Sequence, residues 1–308
     1  MIKAIFILGP TASGKTSVSI QLAKRFSGEI ISADSMQIYK GIHIASAAPD
    51  EDEKENIPHY LIEFLNLEDE FSVADYVKIA RERIKEIHSR GKLPIIVGGT
   101  GLYISSLLEN IEYTDQKTDY KLRQKLEAEF DLIGAEKMLE KLKEFDTEAA
   151  ERLHPNNRRR IIRAFEVFYL TGKTITEQNI LSKQNLSEIK PFVIGLNFKD
   201  REVLYKRISD RVDIMMQNGL LEESKQSFNN KLKGGAFQAI GHKELYPYII
   251  GEIPLEEAVE NLKRSTRRYA KRQITWFKRV NDVNWFYPDD NDTIDDILLL
   301  TEKFLKEE

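Results

Sequence analysis

The sequence predicts an α/β fold: a parallel sheet flanked by helices, interrupted by an all-helical insertion. Three observations predict it. Short apolar runs alternate with helical patterns through roughly the first hundred residues, the arrangement of a sheet covered by helices. The apolar runs are apolar on both faces, as strands buried on both sides must be. From about Gln116 to Pro191 the strand pattern disappears and only helical spacing remains.

The elements follow in order. Ala4–Leu8, Glu29–Ser32 and Pro94–Gly98 read as buried parallel strands that end in turn signals, and His59–Leu65 is a further strand candidate. Thr16–Phe26 and Val73–His88 carry helical spacing, and Ser72 can cap the second by accepting from a first-turn N–H. In the insertion, Tyr120–Phe130 places Leu122, Leu126 and Phe130 on one face, and Lys137–Phe145 and Arg159–Leu170 follow as helices. A strand returns at Phe192–Phe198, then long helices run to about Lys278. The tail after Pro288 is acidic (Asp289, Asp290, Asp292, Asp295, Asp296) and reads as a solvated cap and a last helix. The expected organisation is a discontinuous core, 1–115 and 185–308, with the helical insertion at 116–184.

Composition narrows the function classes. The chain has 308 residues, enough for one large domain with an insertion or for two domains. Hydrophobic residues make up 41% and charged residues 31%, a globular mix. The net charge is −4, so contact with nucleic acid must come from local basic patches. The absence of cysteine excludes disulfides and thiolate metal sites. No stretch approaches the ~20 apolar residues of a membrane span, and the N-terminal apolar run is too short for a signal segment. The expectation is a cytoplasmic monomer without membrane contact.

Gly9, Pro10, Thr11, Ala12, Ser13, Gly14, Lys15 and Thr16 fit G-x-x-x-x-G-K-[ST] between a predicted strand and a predicted helix. Such a loop turns backbone N–H groups toward a phosphate at the positive end of the helix. Lys15 adds a point charge, and the Thr16 hydroxyl can ligate Mg²⁺. The core is therefore P-loop NTPase-like. The loop specifies a phosphate chain rather than ATP. An NTPase usually also has a metal-holding acid at a strand end. Pro94–Thr100 contains none, and the nearest acid is Asp34. Asp34 either holds a metal in a kinase or has another task.

GPTASGKT (9–16), SADSMQIYKG (32–41), PHYLI (58–62), GGTGLY (98–103), HPNNRRRIIRAFEV (154–167), RISDRVDIMMQNGLLEE (207–223), AIGHKEL (239–245) and RRYAKRQITWF (267–277) occur in this order. Together they resemble the tRNA dimethylallyltransferases. The resemblance implies transfer of a dimethylallyl group from dimethylallyl diphosphate, with Mg²⁺, to N6 of the adenine beside the anticodon, position 37. It implies that the loop holds a diphosphate leaving group, that Asp34 is the general base, that Thr100 positions substrate and that Arg211 binds diphosphate. Asp34, Ser35, Met36 and Gln37 would contact the target base, and the insertion would lie over the anticodon stem-loop. The sequence departs from the family pattern at Ala48, where a basic residue is common, and at His242, where tyrosine is usual.

These residue types suit that chemistry. The adenine amino group is a poor nucleophile, and a carboxylate about 3 Å away can take its proton as the C–N bond forms. Loop N–H groups, Lys15, Arg211 and Mg²⁺ suit the charge that develops on diphosphate. Two basic segments suit RNA: Arg158, Arg159, Arg160 and Arg163, and the run Lys263, Arg264, Arg267, Arg268, Lys271, Arg272, Lys278 and Arg279, which contains no acid. Like charges on a helix repel unless an anion lies opposite, so Arg159, Arg160, Arg163, Arg268 and Arg272 are expected on one tRNA footprint with the insertion. Tyr269, Trp276 and Phe277 are read as core before base-stacking, and Thr100 as an alternative helix cap. His43, His59, His88, His154 and His242 show no ligand spacing. Competing readings are an adenylate isopentenyltransferase acting on free AMP or ADP, a small-molecule kinase turning over ATP, and a non-catalytic RNA-binding protein.

Overall fold

A computed structural model of the chain describes residues 1–111, 113, 119–182, 187–229, 239–290 and 292–307. The chain divides into two compact units, Met1–Leu108 with Glu188–Glu308, and Glu109–Ser187. The boundary residues expected from sequence, 116 and 184, lie outside the described residues.

The first unit begins with β1 (Ile2–Leu8), α1 (Lys15–Phe26) and β2 (Gly28–Ser32). Two short helices, α2 (His43–Ser46) and α3 (Glu51–Lys54), precede β3 (His59–Tyr60), α4 (Val73–Ser89), β4 (Leu93–Gly98) and α5 (Gly101–Leu108). The second unit holds α6 (Tyr120–Lys143), α7 (Thr147–Arg152), α8 (Arg158–Thr171) and α9 (Ile175–Ser182). The first unit resumes with β5 (Ile189–Leu196), α10 (Arg201–Gln217), α11 (Leu220–Asn229), α12 (His242–Ile249), α13 (Leu255–Phe277), β6 (Val283–Phe286) and α14 (Thr293–Lys306).

The sheet has the order β3-β2-β4-β1-β5-β6, and every pairing is parallel. Leu8 lies opposite both Gly98 and Gly195, and Ser32 lies opposite Val97, so β1, β2 and β4 finish at one level beside β5. In a sheet of this kind the crevice beyond the strand C-termini is the usual ligand site. One face is closed by α1 and α14: Ile5, Ile7, Leu22, Ile30, Ile95 and Ile194 are fully buried in a cluster with Ile297 and Phe304. Each such side chain contributes about 1.5–3 kcal/mol when removed from water. Helix α4 packs on β1, β2 and β4. Ser72 caps it in a capping box with Asp75.

Several expectations change. The strand candidate His59–Leu65 reduces to His59–Tyr60, with Leu65 making an isolated bridge to Tyr39. Leu61 and Glu63 have positive φ (61° and 47°), which breaks the strand between them. Strand β6 was hidden because only four residues pair, at the edge of the sheet. In the second unit, Gly134 (φ 83°, ψ 169°) interrupts α6 and separates the predicted runs Tyr120–Phe130 and Lys137–Phe145. That unit has its own core of Leu126, Met138, Leu142, Ile161, Ile162 and Phe165. Among the described residues no helix is long and apolar enough to cross a membrane.

Gly98 carries a direct consequence. A Cβ there would stand 2.2 Å from the Ala33 carbonyl oxygen, so β4 can end beside Ala33 only because no side chain intervenes. Gly98→Ala should lower unfolding free energy by about 1–3 kcal/mol, as overpacking against backbone does. A urea midpoint equal to that of the unsubstituted protein would show that the strand end is not tightly held.

Candidate active site

The turn after β1 runs from Gly9 to Gly14. Ala12 (φ 62°) and Gly14 (φ 88°) both take the left-handed conformation, and Gly14 is the N-cap of α1. A turn that mixes left- and right-handed residues can form an anion-binding concavity; here the Thr11 N–H donates to Gln273 and the Ser13 N–H to Pro10 O. The Ser13 hydroxyl is fully buried and has no hydrogen-bond partner among the described residues. Lys15 curls back over the turn, donating to the carbonyls of Gly9 (3.0 Å) and Pro10 (2.7 Å). Thr16 is exposed on the first turn of α1. Burial lowers Lys15 to about 7, the Arg211 charge adds to that shift, and Asp34 opposes it.

Asp34 follows β2. Its Oδ1 accepts from the Met36 N–H at 2.9 Å. Burial pushes its carboxyl above the usual range, against the opposing pull of the Met36 N–H, Lys15, the Gln37 N–H and Arg211. Thr100, after β4, engages the same segment: its Oγ1 accepts from the Ser35 N–H at 2.9 Å and lies 3.2 Å from Ser35 Oγ. The hydroxyl thus serves Ser35 and Tyr269 rather than capping its own helix. Met36 packs into a small apolar cluster with Ile38, Ile42 and Ala239. Gln37 accepts from the Ser32 hydroxyl (2.8 Å) and donates to the Ala47 carbonyl (3.1 Å). Arg211, reaching in from α10, also meets Ala47 O, at 3.5 Å. Burial lowers the Arg211 pKa, whereas Glu53 and Asp34 raise it. The structure therefore brings Lys15, Asp34, Thr100 and Arg211 together beyond the strand ends.

Three residues were not found by sequence reasoning. Arg207, one turn before Arg211, donates from Nε to Ala12 O at 2.9 Å and lies over the Phe198 ring. Glu223 caps α2, accepting from the Ile44 and Ala45 N–H groups (2.8 and 2.9 Å), and so holds the segment that presents Ala47. His242, at the family departure, is buried 3.5 Å from Glu223. The other departure, Ala48, is also buried and adjoins Ala47. Gln273 of α13 accepts from the Thr11 N–H (2.9 Å) and donates to Gly99 O (3.0 Å). A helical i,i+4 pattern signals Arg207 beside Arg211, but nothing local signals Glu223 or Gln273.

The basic segments need correction. The run from Lys263 to Arg279 is not without counter-charges: Lys263 pairs with Asp213 of α10 (2.6 Å) and Arg267 with Glu260 (2.8 Å). Both acids lie outside the run in sequence, which is why the run reads as unpaired. Arg268 and Arg272 are exposed and have no ion-pair partner among the described residues; Arg272 lies over the Tyr269 ring. Phe277 is fully buried, and Trp276 donates to Ser105 Oγ at 2.9 Å, so these two are core rather than stacking platforms. In the second unit, Arg158 pairs with Asp131 and Arg163 with the buried Glu166 (3.4 Å), whereas Arg159 and Arg160 are exposed without an ion-pair partner among the described residues.

The family model described as IPP transferase matches residues 37–280. A curated relative, the tRNA dimethylallyltransferase of Thermoanaerobacter sp. (strain X514), is 50% identical over 296 residues, covering 94% of this chain and 93% of that protein. The crystal structure of the full-length tRNA isopentenylpyrophosphate transferase from Bacillus halodurans superposes with a TM-score of 0.74 at 42% identity, covering 99% of this chain and 97% of that one. A eukaryotic dimethylallyltransferase acting on tRNA superposes with a TM-score of 0.86 at 31% identity, covering 100% of this chain and 82% of that one.

The charge cluster makes a measurable statement about Lys15. Competitive acylation followed by peptide mass analysis should give Lys15 a labelling midpoint of about 7. Inorganic diphosphate should move that midpoint upward, because an anion favours the ammonium form. A midpoint near the ordinary lysine value of about 10.4 would show that Lys15 is solvated and not part of the cluster.

Proposed function

The chain belongs to the IPP transferase family, is an enzyme that prenylates tRNA, and, we propose, transfers the dimethylallyl group of dimethylallyl diphosphate to N6 of the adenine beside the anticodon. The observation that carries the residue roles is one cluster: Asp34, its carboxyl raised by burial, shares the strand ends with Lys15 and Arg211. A base and a diphosphate site are thus within reach of one another.

In this reading the diphosphate occupies the turn from Gly9 to Thr16. Lys15 leaves the Gly9 and Pro10 carbonyls to meet it, and Arg211 faces it from α10. The adenine N6 lone pair attacks C1 of the dimethylallyl group, the C1–O bond breaks, and the electron pair leaves with diphosphate. The N6 proton passes to Asp34. A raised carboxyl pKa makes Asp34 a stronger base than a solvated aspartate, and its neighbouring cations oppose that rise. Thr100 fixes Ser35 and thereby the chain that runs from Asp34 to Gln37 along the base. No group of three or more His, Asp or Glu side chains suited to a metal occurs among the described residues. The exposed Thr16 hydroxyl on the first turn of α1 would hold a Mg²⁺ ion, which would neutralise leaving-group charge. Free AMP or ADP as acceptor and phosphoryl transfer from ATP are not favoured, since the relatives are named for tRNA.

For tRNA contact we assign the exposed arginines of α8 and of α13 to one tRNA footprint. Arg159, Arg160 and Arg163 of α8 face the anticodon stem-loop, and Arg268 and Arg272 of α13 face backbone nearer the target base. The working form is a monomer.

The reading is tested by incubating the protein with dimethylallyl diphosphate and unmodified tRNA and analysing nucleosides by mass. The expected product is N6-dimethylallyladenosine. Asp34→Ala should lower turnover by at least ~10²-fold with tRNA affinity little changed, and near-normal single-turnover rates would remove Asp34 from the mechanism. Substituting Arg160 and Arg163, or Arg268 and Arg272, by alanine should weaken tRNA binding. Each lost phosphate contact should flatten the log–log salt slope by up to about one unit. An unchanged slope in both pairs would redraw the RNA path.

A further inference from the structure

Gln273 is a neutral side chain placed among charged ones; it hydrogen-bonds two different loops and also the Tyr269 hydroxyl one turn before it on α13. It is 5% exposed on α13. Its Oε1 accepts from Thr11 N–H of the phosphate loop, and its Nε2 donates to Gly99 O in the turn after β4. A Cβ at Gly99 would lie 2.2 Å from that Nε2 and 3.7 Å from Asp34 Oδ2, so the glycine makes room for the amide beside the carboxylate. Thr100, the next residue, holds Ser35 through its hydroxyl. A continuous path therefore runs from the phosphate loop, through one side-chain amide, to the neighbour of Asp34.

We infer that Gln273 is a positioning residue for the transfer reaction, fixing the register between the diphosphate loop and the turn that orients Thr100, Ser35 and Asp34. The inference rests on the dimethylallyl-transfer reading. Displacement at C1 requires the leaving oxygen, C1 and N6 to be held in near-attack geometry, with reacting atoms about 3–3.5 Å apart. Here the leaving group is carried by the loop after β1, and the base by the segments after β2 and β4. Strand pairing sets where each loop begins but not how their tips sit relative to one another. Drift of about 1 Å between them can cost ~10²-fold in rate. An amide is required at this point because one partner is a donor and the other an acceptor. A carboxylate would satisfy Thr11 and confront the Gly99 carbonyl; an ammonium would do the reverse.

The test uses the full chain with dimethylallyl diphosphate and unmodified tRNA. Gln273→Met fills nearly the same volume without any of these hydrogen bonds, and Gly99→Ala displaces the amide from the opposite side. Each should lower kcat by ~10-fold or more, while KM for both substrates stays within about threefold. The double variant should be no worse than the more severe single variant by more than about twofold, because both changes break one link. Gln273→Glu, which keeps the Thr11 bond only, should resemble Gln273→Met. A merely structural role predicts another pattern: a lowered melting temperature with normal kcat per folded molecule, or loss of folded protein. Either result, or multiplicative effects in the double variant, overturns the inference. Failure of the unsubstituted protein to form product would instead overturn the transfer reading itself.

Discussion

Lys15 and Arg211 are two cations partly withdrawn from water into one small site, and Asp34 is the carboxylate that both of them feel. Burial penalises each charge, and the proximity of the cations penalises them further. Such an arrangement is stabilised by an anion brought from outside, which is what a diphosphate supplies. The remaining structure keeps these groups in place. Gln37 and Arg211 share the Ala47 carbonyl, and Glu223 holds that segment by capping α2. Arg207 secures the left-handed Ala12 of the phosphate loop. Level strand ends put the three carrying loops side by side.

Much of this was legible in the sequence, for physical reasons that differ by residue. The phosphate loop is legible because glycine, lysine and threonine are needed at fixed spacing within one turn. Asp34, Thr100 and Arg211 are legible only through the resemblance, since an isolated acid, threonine or arginine carries no spacing of its own. Gln273 and Glu223 were not legible. Gln273 meets Thr11 across 262 positions of sequence, and Glu223 meets Ile44 across 179. Their roles exist only once the sheet has brought α11 and α13 over the strand ends. The short strands β3 and β6 were obscured for a related reason: two to four residues are too few to show a period.

The basic segments show the same limit from the electrostatic side. A run of lysines and arginines without an internal acid suggests uncompensated charge, yet Asp213 and Glu260 neutralise two of its members from outside the run. In α8, buried Glu166 pairs with Arg163 and with Arg123 of α6, while Arg159 and Arg160 remain exposed. Ion pairing therefore divides each cluster into members tied to the protein and members turned to solvent. The second unit builds its own apolar core beneath α8, so its arginines stand on a folded support rather than on a loop.

The central claim is that one half-buried carboxylate, raised by its surroundings, accepts the proton of the acceptor amine. The most direct measurement is the single-turnover rate of dimethylallyl transfer as a function of pH, with both substrates saturating. Burial raises Asp34, and an adjacent diphosphate raises it further, so the rate should fall on the acid side with a midpoint above the ordinary aspartate value of about 3.9. A midpoint at that ordinary value, or a rate that stays flat through the acid range down to the limit of folding, would contradict the account.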